Sequence, residues 1–196
     1  MSQRGKTVRY RILQKFFRFH RWHIVPVEQR PYGMEVIKWS NKILTKDLDI
    51  KNGKVIEAGC GLGDILAEIN IPKKNKTGYD IDGKVIKAAR IAHPGIPFQV
   101  GSFAPDLREE YISIFIAVNF LYSLDSKTVE REFKHLIANN DIKYIITETM
   151  KPAVPNYPYS HDMDKILGEK YTCIKKRSFA AAEHSRRFLL LYMKNQ

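Results

Sequence analysis

The chain is short of acidic residues, of cysteine and of long apolar runs. Its 196 residues carry 33 Lys and Arg against 21 Asp and Glu, a formal net charge of +12. No apolar stretch approaches the roughly 20 residues a bilayer-spanning helix needs. The basic N-terminus is not followed by the apolar segment and small-residue cleavage site of a secretory leader. These absences predict a cytoplasmic protein with no membrane span. The two cysteines, Cys60 and Cys173, are far apart and form no C-x-x-C pair. Metal-ligand spacing is therefore missing, no metal centre is expected, and both thiols read as small buried residues. Internal repeats and low-complexity tracts are also missing. A chain of this length fits one domain with a full core.

The shortage of acid is local. Residues 1–30 hold eight Lys/Arg and one acid, Glu28, and residues 165–196 hold eight Lys/Arg and two acids. Residues 31–164 are nearly balanced, with 17 basic and 18 acidic side chains. The surplus at the two ends favours an anionic partner: a phosphorylated or otherwise charged small molecule, a nucleic acid or an acidic membrane surface.

Residues 8–22 place Ile12, Leu13, Phe16 and Phe17 on one helical face. Residues 23–31 read as an extended link broken by Pro26 and Pro31, and a helix is predicted over about 32–46. From residue 53 strands and helices alternate. Strands are predicted at 54–58, 76–80, 97–101, 112–118, 142–148, 170–179 and 187–193. Helices are predicted near 63–70, 82–92, 125–139 and 162–168, with Asp82 capping the second and Asp125 or Ser126 the third. Alternation of this kind implies an α/β, doubly wound, mostly parallel sheet covered on both faces. The last two strands, joined by a short link around 180–186, read as an antiparallel edge pair. The division expected is 1–32 as a basic N-terminal helical extension and 33–196 as the main domain.

The segment K-V-I-E-A-G-C-G-L-G-D carries the clearest chemical signal. Val55 and Ile56 form a buried strand, then Gly59, Gly61 and Gly63 follow at spacing two, and an apolar helix begins. Glycines let the backbone turn tightly and approach a ligand with no Cβ in the way, and a helix start offers unpaired N–H groups. The spacing is not G-x-G-x-x-G, the dinucleotide pattern, nor the phosphate-loop pattern G-x-x-x-x-G-K-S/T. Asp80 ends the next strand, 21 residues after Gly59. A carboxylate there can accept from both hydroxyls of a ribose; the plain alternative is a turn residue.

The pattern E-x-G-x-G-x-G followed by a strand-terminal Asp resembles the first two motifs of class I S-adenosylmethionine-dependent methyltransferases, and the likeness covers roughly residues 33–194. It implies a seven-stranded sheet of order 3-2-1-4-5-7-6 with strand 7 antiparallel, and S-adenosylmethionine as cofactor. It assigns Glu57, Gly59, Cys60, Gly61 and Gly63 to the methionine side, and Asp80 with its neighbour Ile81 to the nucleoside side. Ser102 and Phe103, after the third strand, are assigned to the adenine; Ser102 stands where an Asp is commoner. Asn119, ending the fourth strand, would lie beside the transferring methyl. The sequence there is N-F-L-Y and not N-P-P-Y/F, which lowers methylation of a base or amide nitrogen. The W-H-I and R-P-Y elements, with a His-Asp step after strand five, look like bacterial methyltransferases associated with surface-polysaccharide synthesis.

Two segments are expected to wall an acceptor pocket, residues 21–32 and the proline-rich loop 151–162. Arg30 would pair with an anionic acceptor, with Tyr32, Tyr122, Tyr157 and Tyr159 as further substrate contacts. His161, His23 and Glu148 are the candidates for a general base. The function expected is O-methylation of a small or glycan-like anionic acceptor, such as a phosphorylated one. An RNA methyltransferase, which lacks a recognisable RNA-binding module here, and a non-catalytic binding subunit are the alternatives. The N-terminal helix could also touch a membrane surface.

Overall fold

A computed structural model describes residues 3–47, 50, 53–103, 107, 111–182 and 184–195. The chain forms two compact units, Met1–Ser102 and Phe103–Gln196. Residues 1–32 belong to the first.

In the first unit α1 (Gln3–Phe17) and α2 (Pro31–Lys46) precede β1 (Lys54–Ala58), α3 (Asp64–Glu68), β2 (Lys76–Asp80), α4 (Gly83–Ala92) and β3 (Phe98–Val100). The three strands are parallel, with Glu57 opposite Gly78 and Asp80 opposite Val100. Asp82 caps α4 as its sequence predicts, accepting from the Lys84 N–H at 2.8 Å. Tyr10, Leu13 and Phe19 pack with Leu62, Val85, Ala88 and Ala92, so α1 closes onto α4 and the glycine loop.

Two expectations change here. Of the four residues assigned to one face of α1, Leu13 is buried and Phe17 packs at the core, whereas Ile12 and Phe16 face solvent. At about 100° per residue, α1 carries two apolar arcs, and Tyr10 lies on the buried one. The supposed extended link is two short 3-10 turns, Arg21–Ile24 and Val27–Gln29, and Pro31 opens α2. Proline suits that first helical position because its missing N–H would have no partner there.

The second unit contains β4 (Tyr111–Ala117), α5 (Ser126–Asn139), β5 (Asp141–Lys151), α6 (Met163–Leu167), β6 (Tyr171–Ala180) and β7 (Arg186–Lys194). Asp125 caps α5, accepting from the Thr128 N–H at 3.0 Å. Phe133 of α5 is fully buried, edge-on to Phe103 and Phe115. β5 runs past its predicted end to Lys151 because β7 pairs with it antiparallel throughout, Lys151 facing Arg186. β6 joins β7 antiparallel and is the outer strand; within their link, Glu183 lies outside the described residues. Cys173 is half-exposed beside a bulge in β6, and only Cys60 is buried as expected. The seven strands are ordered β3-β2-β1-β4-β5-β7-β6. No helix among the described residues is long and apolar enough to cross a membrane.

Candidate functional site

β1 ends at Ala58 and the chain turns through Gly59, Gly61 and Gly63 at φ 68°, 54° and 81°. These are left-handed conformations that a side chain disfavours. Space is short as well: a Cβ on Gly63 would stand 2.4 Å from the Phe98 ring, and one on Gly61 would stand 3.0 Å from His23 Nδ1. The turn is tied to β2 twice, Cys60 N–H donating to the Tyr79 carbonyl at 2.9 Å and Gly61 N–H to Asp80 Oδ2 at 2.8 Å. Asp80 Oδ1 accepts from the Asp82 N–H at 3.0 Å. Asp80 is thus a clamp on the loop, buried, with lone pairs remaining on each oxygen. Ile81, next in the chain, is 80% exposed. Ser102 is exposed, and the Phe103 ring is buried against Phe120 and Phe133.

Glu57 is the least satisfied group of the turn. Its carboxylate is buried and Oε2 has no hydrogen-bond partner among the described residues. Burial pushes its carboxyl well above the ordinary glutamate range, and the charge of Arg30 pulls only partly the other way. Asp64, the first residue of α3, is the opposite case. Tyr10 donates its hydroxyl to Oδ1, Arg30 pairs with Oδ2 at 3.3 Å, and His93 Nε2 lies 3.4 Å from Oδ1. Burial works to raise Asp64, but the His93 and Tyr10 bonds and the Arg30 charge outweigh it and hold the carboxyl below its usual value.

Two further candidates, Arg30 and His23, lie beside the glycine loop. Arg30 pairs with Asp64 and its charge acts on Glu57, while its Nε is buried with no hydrogen-bond partner among the described residues. His23 rests on Gly61, and burial lowers its pKa despite the nearby Asp80 and Asp82 carboxylates. Tyr32 stands in the first turn of α2, half-buried. Tyr10, Asp64 and His93 were not singled out. The glycine loop's own D-I-L-A helix start held a signal for Asp64, since an acid in a first turn is commonly a structural anchor.

In the second unit the structure gathers Asn119, Tyr122, Glu148 and Tyr157. Asn119 follows β4 at φ 71°. Its N–H donates to Glu148 Oε1 at 2.6 Å. Arg187, which the sequence reading missed, pairs with Glu148 Oε2 and donates to Asn119 Oδ1 at 3.0 Å. Arg187 also lies 5.8 Å from the centre of the Tyr122 ring, which meets Tyr157 edge-on at 4.8 Å. Burial raises the Glu148 carboxyl, and the Arg187 charge and the Asn119 N–H only offset part of that rise. A carboxylate in the apolar run of β5 needs a counter-charge, which signals a buried cation but not which one.

His161 is 2% exposed. Its Nε2 lies 2.8 Å from the Leu121 carbonyl, its Nδ1 3.4 Å from Ser126 Oγ, and its N–H donates to Thr149 Oγ1 at 3.1 Å. Both ring nitrogens therefore have neighbours within the fold, the nearer being the Leu121 carbonyl. The 151–162 loop is pinned: Val154 and Tyr157 exchange backbone bonds, Ser185 Oγ donates to the Pro152 carbonyl at 2.9 Å, and Tyr159 N–H donates to the Tyr122 carbonyl at 3.3 Å. The Tyr159 side chain itself is exposed.

No protein-family profile and no curated protein sequence matches the chain. Solved structures do. Magnesium protoporphyrin IX methyltransferase from Synechocystis, with bound S-adenosylhomocysteine, superposes with a TM-score of 0.65 at 18% identity, over 95% of this chain and 93% of that one. The chain has the class I methyltransferase fold. The same Synechocystis protein with bound S-adenosylmethionine gives 0.64 at 19% identity, over 85% of this chain and 81% of that one. The N-methyltransferase NodS from Bradyrhizobium japonicum gives 0.64 at 13%, over 86% and 97%. The bifunctional kinase-methyltransferase WbdD gives 0.61 at 17%, over 84% of this chain but 39% of that one. At these identities the likeness is one of fold.

Glu57 makes a pH prediction. Its carboxyl holds its proton more tightly in the folded chain than in the unfolded one, so ionising it costs stability. That cost is absent below the ordinary glutamate pKa of about 4.3 and grows as pH rises from there through the folded value. Glu57→Gln should therefore match the wild-type Tm near pH 4 and exceed it near neutrality. A Tm difference that does not change with pH would contradict the assigned shift.

Proposed function

We propose that the chain transfers the methyl group of S-adenosylmethionine to an oxygen of a small or glycan-like acceptor that is already anionic. The observation that carries the cofactor assignment is the β1–α3 turn itself. Three left-handed glycines, a buried carboxylate with one unpartnered oxygen, and an Asp clamp at the end of β2 stand together on a methyltransferase fold. These groups fit the cofactor's parts. Glu57 Oε2 is an acceptor in need of a donor, which the methionine ammonium supplies. The backbone at Gly59 and Gly61 tolerates close approach, and Asp80 has acceptor capacity left for ribose hydroxyls. The bound cofactor supplies a sulfonium methyl open to in-line attack.

The acceptor class follows from what the side chains are doing. Neutral alcohols require a base within hydrogen-bond reach. His161 is tied to Leu121 and Ser126, Glu148 is paired with Arg187, and His23 rests on the glycine loop. These engagements favour an acceptor that needs no base. An oxygen that is already deprotonated, such as a carboxylate or phosphate oxygen, needs orientation and not proton removal. Within the second unit, Asn119, held left-handed by Glu148 and Arg187, is the residue we assign to orienting the acceptor, with Tyr122 and Tyr157 as its aromatic contacts. Surplus positive charge at both ends of the chain favours an anion over a neutral molecule.

Calorimetric titration tests the cofactor assignment. S-adenosylmethionine and S-adenosylhomocysteine should bind the purified chain, and Asp80→Ala should weaken both by about 1–3 kcal/mol, the worth of a buried acceptor. Unchanged affinity would remove Asp80 from the site, and binding of NAD(H) in their place would overturn the reading.

A further inference from the structure

α1 presents two apolar arcs, and the fold uses one. Tyr10, Leu13 and Phe17 pack inward. Val8, Ile12 and Phe16 are 56%, 62% and 78% exposed. They recur every fourth residue and stay within about 40° of one line along the helix. Ile91 of α4, 50% exposed, widens this stripe, and with Val8, Ile12 and Leu13 it lines an open apolar recess. Trp22, just beyond the helix, is 56% exposed.

The border of the stripe is cationic. By helical position Arg11 and Lys15 flank one side and Arg9 the other, and Arg18 and Arg21 follow the helix end. Arg11, Lys15, Arg18 and Arg21 are exposed. Arg9 donates to the Ile91 carbonyl at 2.6 Å, which fixes it at the stripe's edge. The one acid of residues 1–30, Glu28, is paired with Lys6 at 2.8 Å and neutralises none of them.

A stripe of large apolar side chains edged by Lys and Arg is the pattern of a helix lying in a membrane interface. Other occupants fit less well. A second copy of this face would set cations against cations. A nucleic acid would meet the cations and leave Val8, Ile12 and Phe16 in water. We propose that α1 docks the chain on an anionic lipid bilayer, with Val8, Ile12 and Phe16 entering the acyl boundary and Arg11, Lys15 and Arg18 at the phosphate level. The proposal is independent of the methyl-transfer reading.

Co-sedimentation of the full chain with vesicles is the test. It should pellet with mixed phosphatidylcholine–phosphatidylglycerol vesicles, stay in solution with phosphatidylcholine alone, and be released by salt. The emission of exposed Trp22 should move to the blue on binding. The double variant Ile12→Ser/Phe16→Ser should lower the partition coefficient roughly tenfold or more with an unchanged Tm, because both side chains already face water. Arg11→Gln/Lys15→Gln should lower it by about 25-fold, about fivefold per cation. Failure to pellet with the mixed vesicles overturns the proposal, as does undiminished binding by the Ile12/Phe16 variant. A concentration-dependent dimer that the same variant abolishes would assign the stripe to a second copy and would equally overturn it.

Discussion

One hydrogen bond, from the Gly61 N–H to the Asp80 carboxylate at 2.8 Å, holds the turn on which the first unit depends. The glycines alone would leave the loop floppy, since each can adopt many conformations. Asp80 selects one of them and sets the end of β2 against the start of α3. Cys60 N–H on the Tyr79 carbonyl adds a second tie at the same place. Because Asp80 also accepts from the Asp82 N–H, the same carboxylate sets the entry into α4. A ligand that takes further hydrogen bonds from Asp80 therefore meets a group already oriented by the fold, which is the condition for binding without a large ordering cost.

Buried acids divide the molecule into settled and unsettled places. Asp64 is fully provided for by Tyr10, Arg30 and His93, and Glu148 by Arg187 and the Asn119 N–H. Removing one partner from either would strand a buried charge, the costly event for such networks. Both groups therefore act as struts: Asp64 fastens α1 and the start of α2 to the glycine loop, and Glu148 fixes Asn119 in its left-handed conformation. Glu57 is the exception. A carboxylate kept buried with an unpartnered oxygen at the foot of a glycine turn lowers stability, and proteins keep such groups where a ligand completes them.

Much of this was legible in the sequence for a physical reason. Short, largely apolar runs such as residues 55–56 and 112–116 mark strands because a strand covered on both faces buries every side chain, and Asp82 and Asp125 mark helix starts because their oxygens satisfy orphan N–H groups. The glycine spacing with Asp80 located the turn for the same kind of local reason. What failed was non-local. Nothing in a linear pattern says that Arg30 will meet Asp64, that Arg187 will meet Glu148, or that the His161 ring will be spent on Leu121 and Ser126. Those partners are 34, 39 and 40 residues apart for the first, second and Leu121 pairs. The reading of α1 failed differently, because a helix with apolar residues on two arcs does not declare which arc the core will take until α4 and Leu62 are in place.

The account rests on the β1–α3 turn as the place where the methionine cofactor binds. Amide hydrogen exchange with and without S-adenosylhomocysteine tests that directly. The account predicts slowed exchange in peptides covering residues 57–64 and 78–83, with β6 and β7 unaffected. Slowed exchange confined to other segments, or no protection at saturating S-adenosylhomocysteine, would contradict it.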